Sequence, residues 1–163
     1  MDTMFKASKQ RSRAFSLIEL VIVIVIIGII AAIAVPRMSR GAAGATDAAL
    51  RADLATLRAA IDLFHTEHEG LYPAEADIAL QLTGYSNLAG TAVPVKDSAH
   101  IYGPYLRAIP GLPVNAAEKG SNGIAAVPVA GIGWIYTIAA GAGNIRANTT
   151  IETDDAGTPY NTY

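Results

Sequence analysis

Residues 13–35 read RAFSLIELVIVIVIIGIIAAIAV, and the fold turns on what this stretch becomes. From Leu20 to Val35, sixteen residues carry no charge and no strong hydrogen-bonding side chain. With Phe15 to Glu19 in front, the stretch is 21 residues long. As a helix it measures about 31 Å, which matches a hydrocarbon core of about 30 Å. Valine and isoleucine dominate it and would favour strand in water. In lipid, a single isolated segment satisfies its backbone groups only as a helix. A spanning helix is therefore expected.

The flanks set its direction. Residues 1–14 hold four basic side chains (Lys6, Lys9, Arg11 and Arg13) against Asp2, while the rest of the chain holds eight basic and thirteen acidic residues. Basic flanks stay in the cytoplasm. Arg37 and Arg40 oppose this from the far side, but they are outnumbered. A basic tip, an apolar block and an acidic body predict a cytoplasmic N-terminus, with everything after Pro36 outside.

Composition narrows the function. A length of 163 residues suits one modest domain plus an appendage. The absence of cysteine excludes a disulfide scaffold, a thiol nucleophile and a zinc ribbon. A net charge of −2 argues against nucleic acid as a partner. No P-loop, G-x-S-x-G, H-E-x-x-H or complete G-x-G-x-x-G is present, and Gly141-Ala142-Gly143 lacks the third glycine. An enzyme is not expected. Asn148-Thr149-Thr150 is formally a glycosylation acceptor but reads as the end of a strand.

Glu19 lies about one helical turn inside the apolar run. An acidic group costs about 2.5–3.5 kcal/mol at the centre of a span and less near the interface. Either Glu19 is shallow enough to reach headgroups, or it needs a cation. No lysine or arginine lies between Ala14 and Pro36 to supply one. Cleavage between Ala14 and Phe15 does supply one. It leaves an α-amine on Phe15, one turn before Glu19 on the same helix face, or within reach of a neighbouring subunit's Glu19. Two other readings remain. Ala32-Ile33-Ala34 offers a signal-peptidase site, although the apolar run is long for a secretory signal. A permanent single-span anchor is the other.

Arg13-Ala14-Phe15-Ser16-Leu17-Ile18-Glu19, followed by a long Val/Ile run, resembles the N-terminal signature of type IV pilins and type II secretion pseudopilins. The resemblance implies cleavage before Phe15 by a prepilin peptidase and methylation of the new amine. It implies a role for Glu19 in subunit registration, and helix-softening positions at Gly28 and Pro36. The family usually has glycine before the cleaved bond, where this chain has Ala14. The partners implied are further copies of the chain in a homopolymer filament, minor pseudopilins, the peptidase, the inner-membrane assembly platform and the lipid bilayer. The implied location is a bacterial inner membrane, single-pass, with a periplasmic head. A pseudopilus subunit that helps drive protein export is the leading reading. A type IV pilus major pilin (adhesion, motility or DNA uptake) is the near alternative, and a monomeric membrane-anchored binding module comes from a different class.

Beyond Pro36, Leu50, Leu54, Leu57, Ile61, Phe64 and His68 recur in steps of four and three, the mark of one amphipathic stripe. Gly70 and Pro73 end the pattern. The expectation is one helix of about 54 residues, from Phe15 to His68, bent near Pro36. His65 and His68 stand one turn apart. Imidazoles suit a helix C-terminus, and no third ligand is at hand for a metal.

Residues 71–163 are rich in glycine and proline. The stretch from Thr83 to Asn122 reads as irregular loop with short elements, folded over the helix, and its Tyr105-Leu106-Arg107-Ala108-Ile109-Pro110 resembles the tyrosine-leucine segment of major pseudopilins. Ile132 to Ile138 alternates as a strand, with Ile132, Trp134, Tyr136 and Ile138 on one face. A turn at Gly141-Ala142-Gly143-Asn144 and a return strand from Asn144 to Thr150 are expected. Ile124 to Val129 reads as an edge strand limited by Pro128. Trp134 reads as core.

The fold class expected is α+β. A long N-terminal helix, its lower half transmembrane, packs against a small antiparallel β-sheet in a pilin-like arrangement. The divisions are 1–14, a cytoplasmic leader that is removed; 15–35, the transmembrane and assembly helix; 36–69, its amphipathic continuation; and 70–163, a loop-rich head. Glu152-Thr153-Asp154-Asp155-Ala156-Gly157-Thr158 concentrates hard oxygen ligands that suit calcium, although not at EF-hand spacing. Pseudopilins resemble this in carrying a calcium-bearing loop beyond the sheet, which makes Asp154 and Asp155 the candidate ligands. A solvated tail is the alternative.

Overall fold

The computed structural model describes residues 15–150, 152–154 and 156–163, with backbone alone for residues 35–40. In chain order the elements are α1 (Leu17–Glu67), α2 (Ile78–Thr83), β1 (Tyr85–Ser86), β2 (Ala92–Val93), β3 (Gly123–Ala125), β4 (Ile132–Ala139), β5 (Ala142–Ala147) and a 3-10 turn (Tyr160–Thr162). This is the α+β, pilin-like architecture that the sequence predicts. α1 spans 51 residues and continues through Pro36, which removes one backbone donor without ending it. The chain divides into two units between Arg40 and Gly41.

The first unit is the apolar part of α1. Leu17–Ala34 has a mean hydropathy of 3.2 over 18 residues, none of them buried. That is about 27 Å of helix. By length and composition this stretch is apolar enough to cross a membrane.

The second unit is built on the amphipathic end of α1. Leu50, Leu54, Leu57, Ile61 and Phe64 are all 1% exposed or less, and His68 continues the stripe at 2%. Each buried aliphatic or aromatic side chain contributes about 1.5–3 kcal/mol relative to exposure. Ile78 and Leu82 of α2, Leu112, Trp134, Tyr136, Ile145, Ala147 and Tyr160 complete the core. α1 stops where two consecutive residues turn left-handed, Glu69 (φ 56) and Gly70 (φ 88). The Gly70 amide then donates back to the His65 carbonyl at 2.9 Å.

The larger sheet has the order β3-β4-β5. β4 and β5 form an antiparallel hairpin with Trp134 opposite Ala147 and Tyr136 opposite Ile145. Its turn lies earlier than the glycine cluster suggests, at Ala140 (φ 51) and Gly141 (φ 76). A two-residue hairpin turn needs positive φ at both central positions. That requirement moves Ala142 and Gly143 into β5, which ends at Ala147 rather than Thr150. β3 is a short edge strand paired parallel to β4, with Ile124 opposite Trp134. It stops before Pro128. Gly133 permits a close crossing, because a Cβ there would lie 2.0 Å from the Ser121 carbonyl oxygen. β1 and β2 form a second, two-stranded antiparallel sheet, short elements within the loop-rich stretch from Thr83 to Asn122.

Candidate assembly site and tail loop

Two places carry the residues that the sequence singles out. The first is the start of α1. Phe15 is 72% exposed. Ser16 precedes the first helical residue, and its carbonyl accepts the amides of Glu19 and Leu20 at 3.0 and 3.2 Å. The Ser16 amide in turn donates to Glu19 Oε2 at 3.4 Å. This is the reaching-back half of a capping box, in which the third helical residue covers an orphan donor at the N-cap. The carboxylate also sits at the positive end of the helix dipole. Glu19 thus has a partner within its own chain. The signal, Ser16-Leu17-Ile18-Glu19, is the S-x-x-E pattern that marks helix starts, and the reading of Glu19 as a lone intramembrane acid passed over it.

Gly28 has no packing reason among the described residues, since a Cβ there would meet nothing within 4 Å. A glycine in a helix interior costs about 1 kcal/mol relative to alanine. Ala14 lies outside the described residues, as does the side chain of Pro36.

Residues 9–35 match the prokaryotic N-terminal methylation motif. The chain carries the type IV pilin and pseudopilin signature. Comparison with curated proteins and with solved structures finds no match to the chain. Pilin-type proteins are structural rather than enzymatic, and the motif implies prepilin-peptidase processing and polymerisation. The single apolar N-terminal helix is consistent with a single-pass inner-membrane anchor.

The second place is the tail loop of this pilin-like chain. Asp154 is 8% exposed, and both of its carboxylate oxygens are engaged. Oδ1 accepts the amides of Thr158 at 2.7 Å and Ala156 at 2.9 Å. Oδ2 accepts the Tyr163 hydroxyl at 2.5 Å and the Arg51 guanidinium at 3.2 Å. The Tyr163 hydroxyl, the two loop amides and the Arg51 charge hold the Asp154 carboxyl below the ordinary carboxylate range. Arg51 also donates to the Tyr163 hydroxyl at 3.0 Å and lies 4.9 Å from its ring centroid. Two turns along α1, Arg58 donates to the main-chain oxygens of Tyr163 and Ile145.

The surroundings of Asp154 leave neither of its carboxylate oxygens free for calcium. A cation needs oxygens with free lone pairs, and Asp154 offers its own to four donors, one already positively charged. Among the described residues, no three His, Asp or Glu side chains gather into a possible metal site. Asp155 lies outside the described residues.

Arg51, Arg58, Asp47, Tyr160 and Tyr163 were not singled out from the sequence. Asp47, Arg51 and Arg58 flank the apolar stripe at steps of four and seven, which was the available signal. The remaining candidates are structural. His68 Nδ1 donates to the Phe64 carbonyl at 2.7 Å, and Nε2 lies within hydrogen-bond distance of the Ser86 hydroxyl at 2.9 Å. Its ring stacks on Phe64 with centroids 3.7 Å apart. His65 instead lies against Tyr72, so the two imidazoles have separate partners. Tyr105 donates to Glu67 at 2.7 Å, tying the tyrosine-leucine segment to the end of α1. Trp134 Nε1 donates to the Pro110 carbonyl at 2.8 Å. The Asn148 side-chain amide is buried and donates to the carbonyls of Val129 and Ile132, which leaves it unsuited as a glycan acceptor.

Proposed function

We propose that this chain is a structural subunit of a type II secretion pseudopilus. Prepilin peptidase cleaves it before Phe15, and its apolar helices then pack together to form the filament core. The observation that carries this reading is the bare span Leu17–Ala34, which has no cover of its own and lies within the processing signature. Lateral association of such helices buries that surface after it leaves the bilayer. In the bilayer, the cap at Ser16 keeps the Glu19 carboxylate partnered. In the polymer, the Phe15 amine of one subunit offers the Glu19 of another a full positive charge, which is a stronger partner than a neutral amide. Exchange of the first for the second sets the register. The minor pseudopilins and the inner-membrane platform are the partners of this assembly.

A pseudopilus is favoured over a surface pilus by the small, cysteine-free head and by Tyr105-Leu106, the segment that resembles major pseudopilins. Intact-mass measurement tests the processing. Mature protein is expected to start at Phe15 and carry one methyl group; protein starting at Met1 or Val35 would overturn the reading. Deletion of the gene in its native host separates the two systems. The pseudopilus reading expects exported enzymes to accumulate in the periplasm with twitching intact, and the reverse outcome assigns the chain to a surface pilus.

A further inference from the structure

Two segments more than a hundred positions apart meet at Asp154 and Arg51. The loop closes on itself first. The Asp154 amide donates to the Thr158 carbonyl at 2.9 Å, and the Gly157 amide to the Asp154 carbonyl at 3.0 Å. The Asp154 side chain gathers two further amides onto one oxygen. A loop oxygen so placed is where a cation could organise the turn. Here the opposite oxygen faces a guanidinium and a phenol. Arg51 keeps 62% of its side chain in solvent, while Asp154 keeps 5%, so the buried charge is the anion and its counter-charge arrives from α1. Beside it, the Tyr160 hydroxyl donates to Asp47 Oδ1 at 2.6 Å, one turn before Arg51 on the same helix.

We infer that this arrangement is a metal-free clasp: Arg51 and the Tyr163 hydroxyl occupy the Asp154 oxygens that a divalent cation would need. The tail of this chain is therefore fixed to α1 without calcium. The loop amides supply part of the donor set and the helix supplies the charge. Access of calcium to Asp154 requires Arg51 to leave, and the cation must then displace a guanidinium and a phenol together.

The test uses the full chain in detergent micelles, followed by the near-ultraviolet dichroism of its tyrosines and Trp134. The thermal midpoints in a calcium chelator and in about 2 mM calcium chloride are expected to agree within about 2 °C. A rise of about 5 °C or more with calcium, the effect of a site with a dissociation constant about a hundredfold lower than that concentration, overturns the inference. Arg51→Met and the milder Tyr163→Phe are each expected to lower the midpoint by several degrees, equally in both solutions. If neither variant moves it, the clasp is not what holds the tail. Arg51→Met with Asp154→Asn is expected to lose less than the two single losses combined, because both remove the same pairing. A calcium response in wild-type protein that Asp154→Asn abolishes would assign Asp154 to a cation instead.

Discussion

The Tyr160 hydroxyl donates to Asp47 Oδ1 at 2.6 Å, joining residues 113 positions apart inside the core of the second unit. Burial, and then the Asp47 carboxylate, raise the Tyr160 phenol above its ordinary range. The pair fixes the 3-10 turn to α1, and Tyr160 closes the core beside Leu112 and Val114.

Removal of one partner leaves the other buried and unsatisfied, which costs about 1–3 kcal/mol. Tyr160→Phe is therefore expected to destabilise by about that much, and Asp47→Ala by a similar amount. The double variant is expected to lose less than both combined. Urea unfolding with a shared m value measures all three.

The pH dependence has two limbs. Asp154 titrates below the ordinary carboxylate range when folded, so its contribution is complete above about pH 4 and lost as pH falls through the depressed folded value. Burial, with Tyr72 and Glu75 nearby, raises Tyr136 to about 12, and Tyr160 shifts the same way. For a phenol raised on folding, stability is complete below about pH 10, the unfolded value, and falls as pH rises through the folded one. Urea midpoints are expected to decline on both sides of a plateau. Asp154→Asn should flatten the acid limb and leave the alkaline limb in place.

Gly133→Ala is expected to be among the most damaging single changes in the head. The added Cβ would meet the Ser121 carbonyl oxygen at 2.0 Å, and relief requires a shift of β4, the central strand. A loss of about 3 kcal/mol or more is expected. By contrast, Val127, 60% exposed, should tolerate alanine within about 0.5 kcal/mol. Thermal melts of the two variants provide the comparison.

Truncation of the stripe has a different cause. Leu57→Ala at the centre of the core is expected to cost about 2–5 kcal/mol through lost burial and the cavity left behind. Denaturant unfolding of the head reads this directly, without any need for filaments.

At the other end of α1, Gly28→Ala separates folding from assembly. The new Cβ meets nothing within the chain, so membrane insertion and head stability should be unchanged. Filament yield should fall where helix softness or close approach between neighbours matters. Sedimentation of sheared filaments, compared with total subunit by immunoblot, measures the difference. Equal yields would remove any assembly role from this glycine.

The parts of the fold that repeat at short range were legible. The stripe from Leu50 to Phe64 announces itself at helical spacing, and every one of its members is buried. The Trp134 and Tyr136 face follows from alternation. The hairpin turn was misplaced because glycine count drew attention to Gly143, whereas the backbone twist needs positive φ at Ala140 and Gly141. The parallel pairing of β3 with β4 carries no local mark. The Arg51, Asp154 and Tyr163 cluster was hidden for a stronger reason. Hydrogen bonds between residues about a hundred positions apart leave no period or spacing to read, and an arginine beside an apolar stripe looks like any solvated flank. At Glu19, by contrast, the S-x-x-E pattern from Ser16 is a local mark of the cap that the structure shows.

Tyr160 joins the core from a position 113 residues after Asp47, its partner on α1. A polypeptide leaves the ribosome from its N-terminus onward, so the apolar helix is available for insertion long before this tyrosine exists. The core at Asp47 consequently closes late, only after Tyr160 has emerged. Order of synthesis thus separates the making of α1 from the closing of the domain built on it.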